Sequence, residues 1–263
     1  MTRIEDKFKS LNRPAFLAFI TAGDPDYDIS LELLKSLPEA GADIIELGMP
    51  FSDPMADGPV IQLAGQRALE NGASMKRTLQ MVREFREDNQ ETPVILMGYI
   101  NPVFSYGIEE FTKDAKEAGV DGLIIVDIPP EEDTDLRTAS SANDLNLIRL
   151  VTPTTNEERL PKVLEGASGF LYYVSIAGVT GTSKPSVEAI APHLDMIRSH
   201  TDLPIAIGFG IKTPEDVASF GKIGNAVVVG SALVNIIADN QNNLDLKTII
   251  YEQVKALSGA LKG

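Results

Sequence analysis

One acidic residue, Glu46, has the sequence surroundings expected of a proton-transfer group. Glu46 interrupts an apolar run. Because side chains alternate along a strand, Glu46 shares a face with Ile44. Ile45 and Leu47 occupy the other face. If that face contacts a helix layer, Glu46 points into the barrel. Desolvation there raises the pKa of a carboxyl toward the range useful for proton transfer. The alternative is a carboxylate paired with a neighbouring lysine or arginine.

The loop after Glu46 is punctuated by prolines and a glycine and carries two more carboxylates, Asp53 and Asp57. Aspartate before proline or glycine is a common turn residue, and this interpretation suffices for Asp53. Asp57 is expected to lie beside Glu46, where two different environments would give the two carboxyls different pKa values. We therefore interpret Asp57 as a second, ionised carboxylate of the same site.

Glycines and small residues follow the last three predicted strands, in the stretches 175–183, 207–212 and 229–232. Glycine lets the backbone approach an anion closely, and a following helix directs its N–H groups and dipole at that anion. The first stretch suits a flexible lid, and the other two favour a phosphate site over ordinary tight turns. Neither a Walker lysine nor the third glycine of a dinucleotide fingerprint accompanies them.

Four large side chains near predicted strand ends could flank a flat aromatic ligand: Phe19, Met97, Tyr99 and Tyr172. Ordinary packing in a barrel core is an equally good interpretation for Phe19. The positions of the two tyrosines favour a ligand pocket.

Short β-branched runs alternate with helical patterns along the chain, and the runs number eight: 15–21, 43–47, 94–97, 122–126, 147–151, 170–174, 205–207 and 226–229. Strands buried on both faces, each followed by a helix, indicate a parallel sheet. Eight units of this kind fit a closed (β/α)8 TIM barrel, with an open doubly wound sheet as the alternative. We predict one α/β barrel domain over residues 1–263, with a leading helix over 3–11 and extra helices in the longer loops. Chemistry in such barrels lies on the loops after the strands.

Residues that commonly cap helices precede four of the helical patterns: Ser30, Ser74, Thr155 and Thr213. Three short sequence segments place a glycine where a helix ends and a buried strand follows, at Gly41, Gly119 and Gly224. These signals set the expected boundaries between helices and strands.

The chain has 263 residues, a formal net charge of −15, two histidines and no cysteine. Disulfides, thiolate nucleophiles and cysteine-ligated metals are therefore excluded, and two histidines alone cannot form a multi-histidine metal site. The negative charge argues against nucleic-acid binding, because phosphate backbones are bound by lysine and arginine. Apolar runs too short to span a bilayer and the lack of a signal-peptide pattern predict a cytoplasmic protein without membrane association.

Six motifs, in family order over nearly the whole chain, resemble the tryptophan synthase alpha subunit family. They are AFITAGDP at 18–25, ELGMPFSDPMADGP at 46–59, MGYINP at 97–102, DIPPEE at 127–132, GVTG at 178–181 and GFGI at 208–211. The second motif is very specific. The resemblance implies a TIM-barrel lyase that splits indole-3-glycerol phosphate into indole and glyceraldehyde 3-phosphate.

The resemblance also implies roles for individual residues. Glu46 corresponds to the general acid and base, Asp57 to the carboxylate that accepts the indole N–H, and Tyr172 to a tyrosine near the scissile bond. The ring-pocket positions are held by Phe19, Met97 and Tyr99. The phosphate-binding positions are held by Gly181, Phe209, Gly210, Gly230 and Ser231.

A lid and a partner follow from the same resemblance. In the lid, over 176–185, Thr180 matches a residue that, on closure, hydrogen-bonds an aspartate in loop two, the loop that follows Glu46 and the second predicted strand. Ile176 stands where some relatives carry an arginine, which predicts altered lid dynamics. The partner is the beta subunit of an α2β2 heterotetramer, which receives indole through a tunnel. Pyridoxal phosphate would sit in that partner and not in this chain.

Contacts with the beta subunit would involve the lid, loop two and the stretch 101–106, with the individual positions Pro50, Asp53, Asn101 and Pro102. Three other functions remain open. A stand-alone indole-3-glycerol phosphate lyase would share every catalytic residue and release free indole. Another phosphate-binding barrel enzyme would be expected to carry a lysine or cysteine at a strand end. A non-catalytic activator would need no acid pair.

Overall fold

Nine parallel strands form the central sheet, and a computed structural model describes residues 2–174, 186–208 and 210–262 of the chain. The strands are β1 (Ala15–Thr21), β2 (Ile44–Gly48), β3 (Val94–Gly98), β4 (Gly122–Ile125), β5 (Asn146–Leu147), β6 (Arg149–Val151), β7 (Leu171–Val174), β8 (Ile205–Gly208) and β9 (Ala226–Val229). Hydrogen bonds join them in the order β5-β4-β3-β2-β1-β9-β8-β7-β6. This nearly closed sheet confirms the predicted α/β barrel.

Helices surround the sheet, and two connections carry a pair of helices each, α3 and α4 after β2 and α5 and α6 after β3. The helices are α1 (Arg3–Ser10), α2 (Tyr27–Ala40), α3 (Pro59–Glu70), α4 (Met75–Asp88), α5 (Ile100–Tyr106), α6 (Ile108–Ala118), α7 (Thr134–Ala142), α8 (Leu160–Leu164), α9 (Val187–Arg198), α10 (Pro214–Gly221), α11 (Ser231–Asp239) and α12 (Leu246–Gly259). Among the described residues, no helix has the length and apolar character needed to cross a membrane.

The predicted fifth strand, 147–151, is divided into β5 and β6. β5 pairs with β4 on one flank of this segment, whereas β6 pairs with β7 on the other flank. Between them, the Ile148 N–H still donates to the Leu123 carbonyl at 3.0 Å. The strand changes its hydrogen-bonding partner at this residue, and two short strands therefore replace the single one that the sequence predicts.

Alternation along the strands divides the apolar residues into two layers. Ile44 and Ile95 belong to a cluster inside the barrel. Ile45 and Leu47 belong to the larger cluster between the strands and the helices. The prediction that Ile45 and Leu47 face the helix layer is thus confirmed. Period-two alternation then directs Glu46 inward.

Helix α1 closes the N-terminal end of the barrel. Ile4 is fully buried in the interior cluster, and Phe8 and Leu11 pack against the same cluster. The rings of Phe8 and Phe170 meet edge to face with centroids 5.9 Å apart. The amphipathic leading segment therefore serves as an apolar plug.

Two of the four predicted helix caps are confirmed, because Ser74 and Thr213 each accept a backbone N–H in the first turn of α4 and α10. The prediction for Ser30 is wrong. α2 begins one turn earlier, and Asp26 caps it by accepting the Ile29 N–H at 2.9 Å. Ser30 is instead buried within the helix and accepts the Gly23 N–H at 3.0 Å.

The predicted cap at Thr155 is also wrong, since α8 begins at residue 160 and Thr155 accepts the Thr152 N–H in a preceding turn. Gly41 and Gly119 end α2 and α6 in the left-handed conformation, as predicted. Gly224 lies beyond the end of α10 and caps no helix. A side chain there would come within 2.9 Å of the Ala226 carbonyl oxygen.

Two aspartates that directly precede strands bind arginines at the N-terminal end of the barrel. Asp43 accepts two hydrogen bonds from Arg13, at 2.8 and 3.0 Å. Asp121 accepts one from Arg3 of α1 at 2.9 Å and one from Arg86 of α4 at 2.7 Å. These ion pairs fasten α1 and α4 to the start of the sheet.

We expect Asp121→Asn to destabilise the protein strongly, because Arg86 is buried and would lose its charged partner. Burial lowers the pKa of the Arg86 guanidinium to about 10, and the Asp121 charge opposes this shift. Removing one member of a buried pair costs about 3–5 kcal/mol of unfolding free energy. Asp88→Asn, which removes the exposed pair with Lys35, is the control and should cost at most about 1 kcal/mol. Equal losses in urea unfolding would contradict this account.

Candidate active site

Glu46 lies inside the barrel, on β2 between Phe19 of β1 and Ile95 of β3. Its side chain is 0 % exposed. Neither carboxyl oxygen has a hydrogen-bond partner among the described residues. Burial alone raises the pKa of Glu46 to about 8. The predicted desolvated carboxyl is therefore present, and the paired-carboxylate alternative receives no support.

Asp57 is held by Tyr99 from the neighbouring connection. The Tyr99 hydroxyl donates to Asp57 Oδ2 at 3.0 Å and accepts the Ala56 N–H at 2.9 Å. Burial raises the pKa of the Asp57 carboxyl, and the hydrogen bond from Tyr99 lowers it in part. Tyr99 thus orients the carboxylate that, by the family resemblance, would accept the indole N–H.

Tyr172 completes a group of three titratable side chains around one space. Burial raises its pKa well above the ordinary value, and the charges of Glu46 and Asp57 raise it further. A Cβ atom at position 208 would lie 2.1 Å from the Tyr172 hydroxyl oxygen. Gly208 is therefore required where the ring of Tyr172 crosses the end of β8.

A cavity of about 280 Å³ brings most predicted site residues together. Its walls are mainly apolar, which suits an aromatic ligand with a few polar groups. The predicted residues that line it are Phe19, Glu46, Asp57, Met97, Tyr172, Gly210, Gly230 and Ser231. Tyr99 lines a smaller adjoining space together with Phe19, Met97 and Asp57.

The candidate phosphate end of the cavity lies where α11 begins. Gly230 precedes its first residue, Ser231, and contributes no side-chain cap. An uncapped helix N-terminus presents N–H groups and the positive end of the helix dipole to an anion. The other predicted anion and lid positions, Thr180, Gly181, Phe209 and the stretch 176–185 with Ile176, lie outside the described residues.

The predicted partner-contact residues occupy the rim beside the cavity. Asp53 and Asn101 are exposed, and Pro50 and Pro102 are half-buried. Loop two and the start of α5 lie next to each other, because the ring of Phe51 packs on Tyr99 with centroids 5.4 Å apart. Two large apolar side chains on this rim are also exposed, Met55 by 81 % and Phe104 by 55 %.

Helix α3 supplies cavity residues that the sequence analysis did not identify. Gly58, Pro59, Val60 and Ile61 line the cavity directly after Asp57. The sequence carried a signal for this helix start, since Pro59, a residue common at the first position of a helix, follows Asp57 closely.

Among the described residues, no three histidine or acidic side chains are grouped as a metal site.

Comparison with known proteins agrees with this geometry. The family described as Tryptophan synthase alpha chain matches residues 6–262. A solved structure of tryptophan synthase subunit alpha from Legionella pneumophila str. Paris is 39 % identical, with a TM-score of 0.92 over 100 % of this chain and 99 % of that one.

Two further structures show the same similarity. One from Aquifex aeolicus VF5 is 35 % identical, with a TM-score of 0.90 over 99 % of both chains. A tryptophan synthase chain from M. tuberculosis, solved in an aminoacrylate-bound form, is 30 % identical, with a TM-score of 0.88 over 99 % of this chain and 100 % of that one. The family match, the fold and the cavity all point to the same family. This chain belongs to the tryptophan synthase alpha chain family of lyases, which cleave indole-3-glycerol phosphate in tryptophan biosynthesis.

Proposed function

We propose that Glu46 transfers both protons in the cleavage of indole-3-glycerol phosphate to indole and glyceraldehyde 3-phosphate. The observation that carries this proposal is a fully buried, unpaired carboxyl in the wall of the cavity, with its pKa raised to about 8. At neutral pH such a carboxyl holds a proton that it can donate. A carboxyl with an ordinary pKa would already be ionised.

The reaction divides into two proton transfers that leave Glu46 unchanged. Protonated Glu46 first donates to C3 of the indole ring, which places positive charge on the ring. The resulting carboxylate then removes the proton of the side-chain hydroxyl next to C3. The C–C bond breaks, its electron pair restores the aromatic ring, and the hydroxyl carbon becomes the aldehyde. One residue thus acts as acid and then as base.

Asp57 supplies the electrostatic part of the proposed mechanism. Its carboxylate would accept the indole N–H, and its negative charge would stabilise the ring when C3 is protonated. The hydrogen bond from Tyr99, at 3.0 Å, fixes the carboxylate before substrate binds. A group oriented in advance stabilises a developing charge without reorganising.

The remaining cavity residues would bind and orient the substrate. Phe19, Met97 and Tyr99 would flank the ring, and Tyr172 would lie near the scissile bond. The proposed phosphate-binding residues are Gly181, Phe209, Gly210, Gly230 and Ser231. Thr180 would hydrogen-bond the loop-two aspartate when the lid closes. The uncapped start of α11 supports this placement of the phosphate.

Membership of the family implies a beta-subunit partner. We propose an α2β2 heterotetramer in the cytoplasm, in which the beta subunit carries pyridoxal phosphate and contacts Pro50, Asp53, Asn101 and Pro102. The exposure of Asp53 and Asn101, and of the apolar Phe104 beside them, supports an interface on this rim. Pro50 and Phe51 line the space that adjoins the cavity, so indole would be released close to the proposed interface.

Glu46→Gln should abolish indole release and at the same time stabilise the fold at pH 7. Between pH 4.5 and 8, Glu46 is ionised in the unfolded chain but protonated in the folded protein. Rising pH over this range therefore favours the unfolded state, and Gln at this position removes that effect. A shift from 4.5 to about 8 corresponds to up to about 3 kcal/mol at pH 7. Indole release and urea unfolding measure the two effects, with exposed Glu70→Gln as the control. Undiminished turnover would refute the proposed role.

The pH dependence of kcat/KM should show a decline above about pH 8, because the first step needs protonated Glu46. Rising pH removes that proton from the folded protein, so the rate is retained below the pKa and lost above it. The rate of indole release measured from pH 6 to 10 tests this. A rate independent of pH between 7 and 10 would be inconsistent with Glu46 as the acid.

Indole release from indole-3-glycerol phosphate should be slow for the chain alone and rise severalfold when a beta subunit is added. Phe104→Ser should reduce this gain while leaving the rate of the chain alone unchanged, because an exposed apolar contact is lost. Leu244→Ser, in the turn between α11 and α12 away from the cavity, is the matched control. A fast rate that does not change on mixing would favour the stand-alone lyase, and no cleavage at all would favour an activator.

A further inference from the structure

Helix α3 carries the catalytic loop at one end and is anchored at the other. Asp57 lies two residues before its first residue, Pro59, and the first turn of the helix forms part of the cavity wall. Eight residues further along, about 12 Å at the rise of an α-helix, Arg67 points to the loop after β1. The position of this helix therefore helps to set the position of Asp57.

The anchor is an ion pair with two hydrogen bonds. Arg67 Nε donates to Asp24 Oδ1 at 2.8 Å, and Arg67 Nη2 donates to Asp24 Oδ2 at 2.9 Å. The Asp24 side chain is fully buried, while that of Arg67 is 21 % exposed. A planar guanidinium bound to both carboxylate oxygens fixes orientation as well as distance.

Two further contacts join the same segments. Asn71 Nδ2 donates to the Pro25 carbonyl at 2.8 Å. A Cβ atom at position 23 would lie 3.2 Å from Ala73 Cβ and 3.7 Å from Ala68 Cβ, so the loop packs closely on the end of α3. The ion pair thus lies within a rigid junction between the loop after β1 and α3.

This junction connects two elements that line the reaction cavity. β1 carries Phe19, which lines the cavity together with Asp57 and the first turn of α3, and Phe19 shares a buried apolar cluster with Ala64 of α3. Elsewhere, the Tyr99 hydroxyl bonds to the Ala56 N–H and to the Asp57 carboxylate, and these two bonds hold loop two but not the helix that follows it. We propose that the Asp24–Arg67 ion pair is a positioning clamp, which holds α3 against β1 and thereby places Asp57 for catalysis.

The clamp rests on the proposed function, and its test compares two ion pairs of the same kind. Arg67→Met removes the clamp. Arg13→Met removes the pair with Asp43, which also has two hydrogen bonds and low exposure but lies at the opposite end of the barrel. Both variants should lose stability in urea unfolding. Only Arg67→Met should lower kcat for indole-3-glycerol phosphate cleavage, by about 10- to 100-fold with KM little changed. Displacing a catalytic group such as Asp57 by about 1 Å can by itself lower the rate by this factor.

A double-mutant cycle with Asp57→Asn separates positioning from general loss of structure. If Arg67 acts through Asp57, Arg67→Met should reduce kcat by less than about twofold in the Asp57→Asn background. Arg67→Lys keeps the charge but not the paired hydrogen bonds, and should recover part of the rate. Equal kcat losses in the Arg13 and Arg67 variants, or equal losses of Arg67→Met in both backgrounds, would overturn the proposal.

Hydrogen exchange gives a readout that does not depend on activity. Amides of residues 53–61 should exchange faster in Arg67→Met than in Arg13→Met, because α3 is released from the loop after β1. If Arg67→Met does not fold, Arg67→Lys answers the same question. A wild-type chain that fails to cleave the substrate would refute the proposed function, whereas unchanged exchange at 53–61 would refute the clamp.

Discussion

The desolvation of one carboxyl is the constraint on which the site depends. A carboxylate inside an apolar barrel is costly, and Glu46 avoids that cost by keeping its proton instead of pairing with a cation. A lysine or arginine beside it would stabilise the fold and lower the pKa, and the carboxyl would then lose its capacity to donate at neutral pH. Under the proposed mechanism, the unpaired carboxyl costs stability at this position and supplies the proton for cleavage.

The other site residues leave the surroundings of Glu46 apolar and its carboxyl unpaired. Tyr172 fills the interior beside Glu46 without donating to it, and Gly208 leaves room for that ring. Asp57, the second carboxyl, is oriented by Tyr99 and lies where it can be partly solvated. Two acids in one cavity can thus differ in protonation, because one is surrounded by apolar groups and the other accepts a hydrogen bond.

Local patterns in the sequence predicted much of this arrangement. Period-two alternation placed Glu46 inside the barrel, and the glycines after the last two strands predicted the end of the cavity near Gly230. The hydrogen bond between Tyr99 and Asp57 and the pair of Arg67 with Asp24 could not be predicted, because their partners lie 42 and 43 residues apart. No local period encodes such contacts. The division of the fifth strand was missed for a similar reason, since it depends on which neighbours each half meets.

The apolar plug formed by α1 has a kinetic consequence. Ile4 and Phe8 pack into the N-terminal end of the barrel and close that end. If the proposed reaction takes place in the cavity, substrate would enter and products would leave at the opposite end, past the loops that follow the strands. A partner that covers the rim near Asp53 and Phe104 would then determine how long indole stays in the cavity.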